Sequence, residues 1–481
     1  MELKVNVECV KNVEPSEPVS PTGQYFNSSV LSVSVISILE FDNPIDDSSS
    51  LELINNVFLP INPRFSSIMV EDGEGGKQWK RVEVKGEEHI KVPCYPQGLS
   101  PESYDRYFDE YLSKLSMDPL PQTRPLWEIH IFKYPTSNAA GSLVFKLHHA
   151  LGDGFSLMGA LLSCLQRADN PSLPLTFPNF QRSPMQDNKV MSLVSVVSRA
   201  FHGAINTVLD FGWSILKSSF LEDSRTPIRS GKDGVEFRPV EITTMTFSLD
   251  QIKNIKSSLQ VTINDVITGI IFLGTRLYME AACEEARNAR STALVLLNTR
   301  SIGGYKSVNE MIRNKEAQVQ WGNQFGFLHV SLPKLSQYDQ RLNPLKFVQE
   351  TRNIIKRKRD SSAVYLTGML LEYVRKYRGP EATAEYIHST LKNSSLTVSN
   401  MIGPVEKMTL ANQPIKGLYF MVVNVPQGLF DTQSLTVTIM SYMDQLRVAV
   451  GTEKGLIDPA KFRKCTEKAF SIMYNAALMP K

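Results

Sequence analysis

The alternation of apolar and polar positions divides the chain into short strands and two-faced helices. Residues 30–39 set Val33 and Val35 against Ser32 and Ser34, a period of two that predicts a strand with one buried face. Residues 46–58 carry Leu51, Leu53, Ile54 and Phe58 at helical spacing, and 62–70 with 79–84 read as a hairpin around the Gly-rich turn 71–77. Ser100-Pro101 reads as an N-cap with proline in the first helical position. The helix behind it is expected to bury Tyr104, Tyr107, Phe108, Tyr111, Leu112 and Leu115. Strands at 127–134 and 143–149 and a helix at 155–166 follow. In the second half the pattern predicts strands at 241–247, 293–298, 328–332, 396–400, 417–424, 434–443 and 446–451. Helices are expected at 248–258, from a capping box at Thr262 and Asp265 to about 285, from 344 towards His388, and from Asp458. Strand and helix alternate in both halves, which argues for two α/β lobes.

One helical pattern is different. Residues 190–216 place Leu193, Val194, Val197, Phe201, Ile205, Val208 and Ile215 on one side and Arg199, His202, Asn206 and Asp210 on the other. An Arg or Asp at the centre of a lone spanning helix costs about 2.5–3.5 kcal/mol each, so a helix lying on a membrane or packing between domains is expected instead.

At 481 residues the chain exceeds one average core. Its organisation is read as an extended N-terminal segment (1–24), a first lobe (25–169), a proline-rich linker with the two-faced helix (170–240) and a second lobe (241–481). The first 20 residues hold Glu2, Glu8, Glu14 and Glu17 and no continuous apolar core, so no secretory leader is expected. Lys and Arg number 52 against 49 Asp and Glu, a balance that gives no reason to expect a nucleic-acid partner. Five scattered cysteines without CxxC spacing make a disulfide framework or zinc site unexpected.

Candidate chemistry concentrates at 143–154, where an apolar strand ends in His148-His149-Ala150-Leu151-Gly152-Asp153-Gly154 and a helix begins. Strand parity puts Leu143, Phe145, Leu147 and His149 on one face and Val144, Lys146 and His148 on the other. His149 on the apolar side is the better general base, since an imidazole is mostly neutral at cellular pH. A metal would need third and fourth ligands at matching spacing, and His89, His130, His202, His329 and His388 are scattered.

His-His-x-x-x-Asp-Gly resembles the active-site motif of the CoA-dependent acyltransferase superfamily. Arg124-Pro125-Leu126-Trp127-Glu128, Asn264-Asp265-Val266, Asn298-Thr299-Arg300-Ser301 and Ser399-Asn400-Met401-Ile402-Gly403-Pro404 resemble, in order, segments of the plant-type wax ester synthase/diacylglycerol acyltransferase family. The resemblance runs from about residue 18 to the C-terminus. It implies two chloramphenicol-acetyltransferase-like α/β lobes with mixed sheets and an active-site tunnel between them. It also implies acyl transfer from acyl-CoA, as co-substrate with no bound cofactor, to a fatty alcohol or to diacylglycerol. A membrane surface is the expected partner, at the endoplasmic reticulum with the plasma membrane as a second location, and the motif is expected to face the cytosol.

Within that frame His149 is the expected general base and Asp153 the structural ion-pair partner of Arg300. His148 is a structural neighbour. Gly152 and Gly154 are expected to give the turn its backbone geometry and let substrate approach closely. Asn264 competes with Ser399 and Asn400 as donor to the tetrahedral oxyanion. Lys356-Arg357-Lys358-Arg359 reads as a CoA-phosphate contact, an anionic-lipid contact or a solvated helix face. A BAHD-type alcohol acyltransferase shares the histidine motif but carries Asp-Phe-Gly-Trp-Gly, of which Trp321-Gly322-Asn323 is only an echo. A non-catalytic lipid-binding member of the fold is the remaining alternative.

Overall fold

The computed structural model describes residues 17–28, 32–73, 76–176, 193–230, 239–300, 321–335, 344–425 and 434–479, with 21, 193–203 and 424–425 as backbone only. Residues 1–16, the linker beyond 176, and Ser301 lie outside them. The helices are α1 (Pro21–Phe26), α2 (Pro101–Met117), α3 (Gly154–Ser163), α4 (Leu193–Ser219), α5 (Leu249–Leu259), α6 (Ile263–Ala282), α7 (Pro344–Asp360), α8 (Ala363–Lys392) and α9 (Pro459–Leu478). The principal strands are β1 (Ser32–Phe41), β2 (Trp127–Phe132), β3 (Gly141–His148), β4 (Val240–Ser248), β5 (Thr292–Asn298), β6 (Phe325–Ser331), β7 (Leu396–Ile402), β8 (Gln413–Val425), β9 (Leu435–Tyr442) and β10 (Gln445–Glu453).

The first sheet has seven strands, with β2, β3, β1 and β8 adjacent at its centre. β1 is buried along all ten residues, not on one face as its alternation suggests. It is a central strand covered twice. Val35, Leu39 and Phe41 pack with Leu157, Met158 and Leu161 of α3, while Ile36 and Ile38 meet Tyr104, Phe108 and Leu112 of α2. The same double cover removes the contrast expected along β3. Lys146 is fully buried, its ammonium donating to the carbonyls of Leu115 and Asp118 just past α2. Parity therefore does not separate His148 from His149 by burial.

The second sheet runs β6-β5-β7-β9-β10-β4, parallel through β5, β7 and β9 and antiparallel outside. Val398, Val437, Ile439 and Val448 point from it into a core shared with α5, α6, α7 and α9. From the opposite face Met440 and Tyr442 join the first lobe's core. β8 crosses the division drawn at residue 240: it pairs antiparallel with β1 from Ile415↔Phe41 to Val425↔Ser32, completing the first sheet. Arg447 of β10 bonds Glu40 of β1, a second tie between the lobes.

Caps at Ser100, Ser248, Thr262 and Asp458 start their helices as the sequence suggests, and Thr262 with Asp265 closes the full capping box. Three local expectations change. Residues 50–61 break into a short α-turn, a π-turn (Ile54–Phe58) and a 3-10 turn that keep Ile54 and Phe58 inside. Residues 63–66 form a 3-10 turn before the strand Ser67–Glu71. The N-terminal segment is not extended to residue 24, because Ser20 caps α1 with Pro21 behind it, repeating the Ser-Pro signal of α2.

Candidate active site

The turn joining β3 to α3 is held by Asp153. Its Oδ1 accepts from the Ser156 amide, capping α3, and its Oδ2 accepts from the Gln324 amide. Both oxygens also take the Arg300 guanidinium, at 2.6 and 3.0 Å, with both side chains almost fully buried. Arg300 further donates to Ser156 Oγ and to the Gly322 carbonyl and lies over the Phe155 ring. This is the ion pair expected from the sequence, and it joins the two lobes.

Neither Gly152 nor Gly154 has a positive φ, so backbone freedom is not their reason. A Cβ on Gly152 would lie 2.9 Å from Ser156 Cβ, and one on Gly154 would lie 3.2 Å from Met401 Sδ. Close packing of the turn demands them. The glycine that does need the left-handed region is Gly322, with φ of 115°.

Hydrogen bonds separate the histidines. His148 Nδ1 lies 3.1 Å from the Ala150 amide and must accept from it, so its Nε2 carries the proton and donates to Ser32 Oγ at 3.2 Å. Burial, helped by its neighbour His149, pushes the His148 pKa down to about 3. Both ring nitrogens are spent. His149 is one residue beyond the end of β3. Its Nδ1 lies 2.8 Å from Asn323 Oδ1, and Asn323 Nδ2 donates back to the His149 carbonyl at 2.9 Å. Among the described residues its Nε2 has no hydrogen-bond partner. Burial holds the His149 pKa below the ordinary histidine value, opposed by the charge of Asp153 and the bond to Asn323. Phe26 of α1 and Phe325 of β6 pack on the imidazole with ring centroids 4.6 and 5.5 Å away.

The oxyanion candidates fall into two groups. Asn400 Nδ2 donates to Asn264 Oδ1 at 2.7 Å, so these two side chains meet, and both are exposed. Asn400 shares the face of β7 with Val398, which points into the helix-covered core of the second lobe. Ser399 lies on the other face with Met401, whose sulfur approaches Gly154 on the catalytic turn. Ser399 is buried there.

The segment 321–325 escaped the sequence reading as a site. Trp321 Nε1 donates to the Leu151 carbonyl, the Gly322 amide to Ser156 Oγ, and the Asp153 amide to the Gly322 carbonyl. Its Trp-Gly-Asn was visible only as an imperfect echo of another family's signature. Phe26 was missed as well, although Ser20-Pro21 announced the helix that carries it. Among the described residues no group of three His, Cys, Asp or Glu side chains is placed to hold a metal.

Two family models match: the wax ester synthase/diacylglycerol acyltransferase catalytic domain over 98–267 and the WS/DGAT C-terminal domain over 321–474. Wax ester synthase/diacylglycerol acyltransferase 4 of Arabidopsis thaliana is 30% identical over 469 residues, covering 93% of this chain and 86% of that protein. Number 6 of the same plant is 28% identical, covering 97% and 95%. Among solved structures, the wax ester synthase/diacylglycerol acyltransferase from Marinobacter aquaeolei VT8 superposes with a TM-score of 0.60 at 16% identity, over 96% of this chain and 100% of that one. The first condensation domain of the CDA synthetase superposes with a TM-score of 0.54 at 11% identity, over 98% of each chain. These two share the fold. With the matching models in both halves and the plant relatives along nearly the whole length, the chain belongs to the wax ester synthase/diacylglycerol acyltransferase family of acyl-CoA-dependent acyltransferases.

Proposed function

We propose that the chain moves a long-chain acyl group from acyl-CoA to a fatty alcohol, with diacylglycerol as a second acceptor and His149 as general base. The observation that carries this is a buried neutral imidazole whose Nδ1 is occupied by Asn323, which leaves the Nε2 lone pair for the alcohol. As the alcohol oxygen attacks the thioester carbonyl carbon, Nε2 takes the hydroxyl proton. The tetrahedral oxyanion then collapses, the C–S bond breaks, and the imidazolium returns the proton to the CoA thiolate. No nucleophile elbow is present in the sequence, so transfer is direct, without an acyl-enzyme. Phe26, Phe325, Phe327, Leu371 and Val422 pack together beside the imidazole and supply an apolar wall next to the reacting atoms.

Ser399, buried on the strand face turned to the catalytic turn, is the better oxyanion donor; Asn264 and Asn400 are exposed and lie on the other face of the strand, joined by one hydrogen bond. The purified chain, given palmitoyl-CoA with hexadecanol or with dioleoylglycerol, is expected to form ester and free CoA thiol in equal amounts. Ser399→Ala is expected to lower kcat about 10²-fold with little change in KM. Thiol release without ester would refute the transfer, and unchanged kcat in the variant would return the donor role to Asn264 and Asn400.

The same reading places the reaction at a lipid surface. No single described helix is long and apolar enough to cross a membrane. Yet α4 is packed inside out: Asp210, Ser214, Lys217 and Ser218 are buried, while Ile205, Val208, Leu209, Leu216 and, just past its end, Phe220 face solvent. Its buried charges pair inwardly, Lys217 with Asp223 at 2.7 Å and Asp210 Oδ1 with Lys358 at 2.7 Å. The neighbouring α8 exposes Tyr365, Met369, Tyr373 and Tyr377 at four-residue spacing. Arg357 and Lys358 of α7 reach Asp210 of α4 and line a cavity of about 620 Å³ together with Leu209, Trp213 and Ile354. Apolar stripes flanked by cations suit anionic bilayers. The protein is expected to co-float with phosphatidylcholine vesicles containing phosphatidylserine, and Val208→Glu with Leu209→Glu to reduce the bound fraction at least fivefold. Equal flotation of the variant would exclude this face as the contact.

A further inference from the structure

We propose that Asn323 is the positioning residue that makes His149 a base, so that the second lobe confers catalytic competence on a histidine of the first. The argument starts from which end of the Asn323 amide faces the ring. The His149 carbonyl can only accept, so the atom 2.9 Å from it is the amide nitrogen. Oδ1 is then the atom 2.8 Å from His149 Nδ1, and since it can only accept, Nδ1 must carry the proton. One side chain thus fixes the tautomer, the ring plane and the exposed lone pair together. The other tautomer would present an N–H to the incoming alcohol and a flipped ring a C–H, and neither could take its proton.

Asn323 is itself held from both sides. Trp321 bonds the Leu151 carbonyl, Gly322 turns through its positive φ and bonds Ser156 and Arg300, and the Gln324 amide bonds Asp153. Asn323 is therefore delivered to His149 by a segment fastened to the catalytic turn one residue before and one residue after it. Among the described residues, two charged or titratable groups adjoin the imidazole. Asp153 stands on the same turn, already bound bidentately by Arg300 from the second lobe, and His148 is neutral on the strand end. Phe26 and Phe325 cover the ring. With its charge spent on Arg300 and two backbone amides, Asp153 has no part in choosing the tautomer; the neutral amide does.

This inference rests on His149 being the base, and the experiment separates the two. His149→Ala, Asn323→Ala and Asn323→Asp are compared with the unaltered protein for kcat, KM, the pH dependence of kcat/KM, and thermal midpoint. Asn323→Ala removes both hydrogen bonds and is expected to lower kcat about 10²-fold, with KM and midpoint little changed. Asn323→Asp keeps the acceptor at Nδ1, loses the donor to the His149 carbonyl, and adds a negative charge that favours the imidazolium. It is expected to recover at least tenfold over Asn323→Ala and to move the acidic limb of kcat/KM upward by about one pH unit. If Asn323 merely braces the loop through Nδ2, the Asp variant will be as impaired as the Ala variant with its limb unmoved, and the proposal fails. Full activity of Asn323→Ala also overturns it. Full activity of His149→Ala would instead refute the base assignment itself.

Discussion

Replacing His149 with Ala is expected to reduce ester formation by about 10²–10⁴-fold, the range a positioned general base contributes. The variant should still fold, with some stability lost to the cavity left between Phe26 and Phe325, because the Asn323 bond to the His149 carbonyl survives the truncation. The unaltered protein should show the matching pH signature. Only the neutral imidazole has a lone pair to take the alcohol proton. Burial disfavours the imidazolium and lowers the His149 pKa, so the neutral form persists to lower pH than for a free histidine. Activity is therefore expected to hold from neutrality down through about pH 6.5 and to fall only below it. A kcat/KM profile whose acidic limb lies above 7 would contradict this environment, and a fully active His149→Ala would remove the base from the mechanism.

The second large effect is expected at the ion pair. Asp153→Ala leaves the Arg300 guanidinium buried beside no carboxylate, and breaking a buried pair from one side costs about 3–5 kcal/mol. The variant also loses the α3 cap, about 1 kcal/mol more, and the acceptor for the Gln324 amide. Denaturant unfolding should show a clear loss of stability, with transfer activity falling at temperatures where the variant begins to unfold. Residual activity should survive in the cold, because Asp153 braces the turn and does not touch the reacting atoms. Its acidic limb should move to lower pH, because the charge that favours the His149 imidazolium is gone. A variant as stable as the unaltered protein yet inactive at every temperature would instead place Asp153 in the chemistry.

His149, Asp153 and Arg300 were legible in the sequence because each combines a residue type with a motif spacing, and the structure joins the last two as expected. The route to His149 was less sound than its destination. Parity supposed one dry face and one wet one, but β3 is central and covered twice, so Lys146 and His148 are as buried as their neighbours. What distinguishes His149 is a hydrogen bond to a residue 174 positions away, which no local pattern encodes. Ser399 and Asn400 looked equivalent as neighbours, and the direction of the strand separates them.

The sequence by itself determined most of the elements and the starts of the capped helices, since helix caps, apolar periodicity and turn residues act over a few positions. It also determined the reaction class, through motifs that name their own residues. Only the tertiary structure decided how the lobes share the work. β8 leaves the second half to pair with β1, α1 lays Phe26 on the imidazole, and 321–324 carries Asn323 to the ring. These contacts join distant residues and arise from burial and the need to satisfy every polar group within it. The inside-out packing of α4 has the same origin. Its two faces were plain in the sequence, but which of them meets the protein depended on Lys358 and Asp223 waiting to pair with its charges.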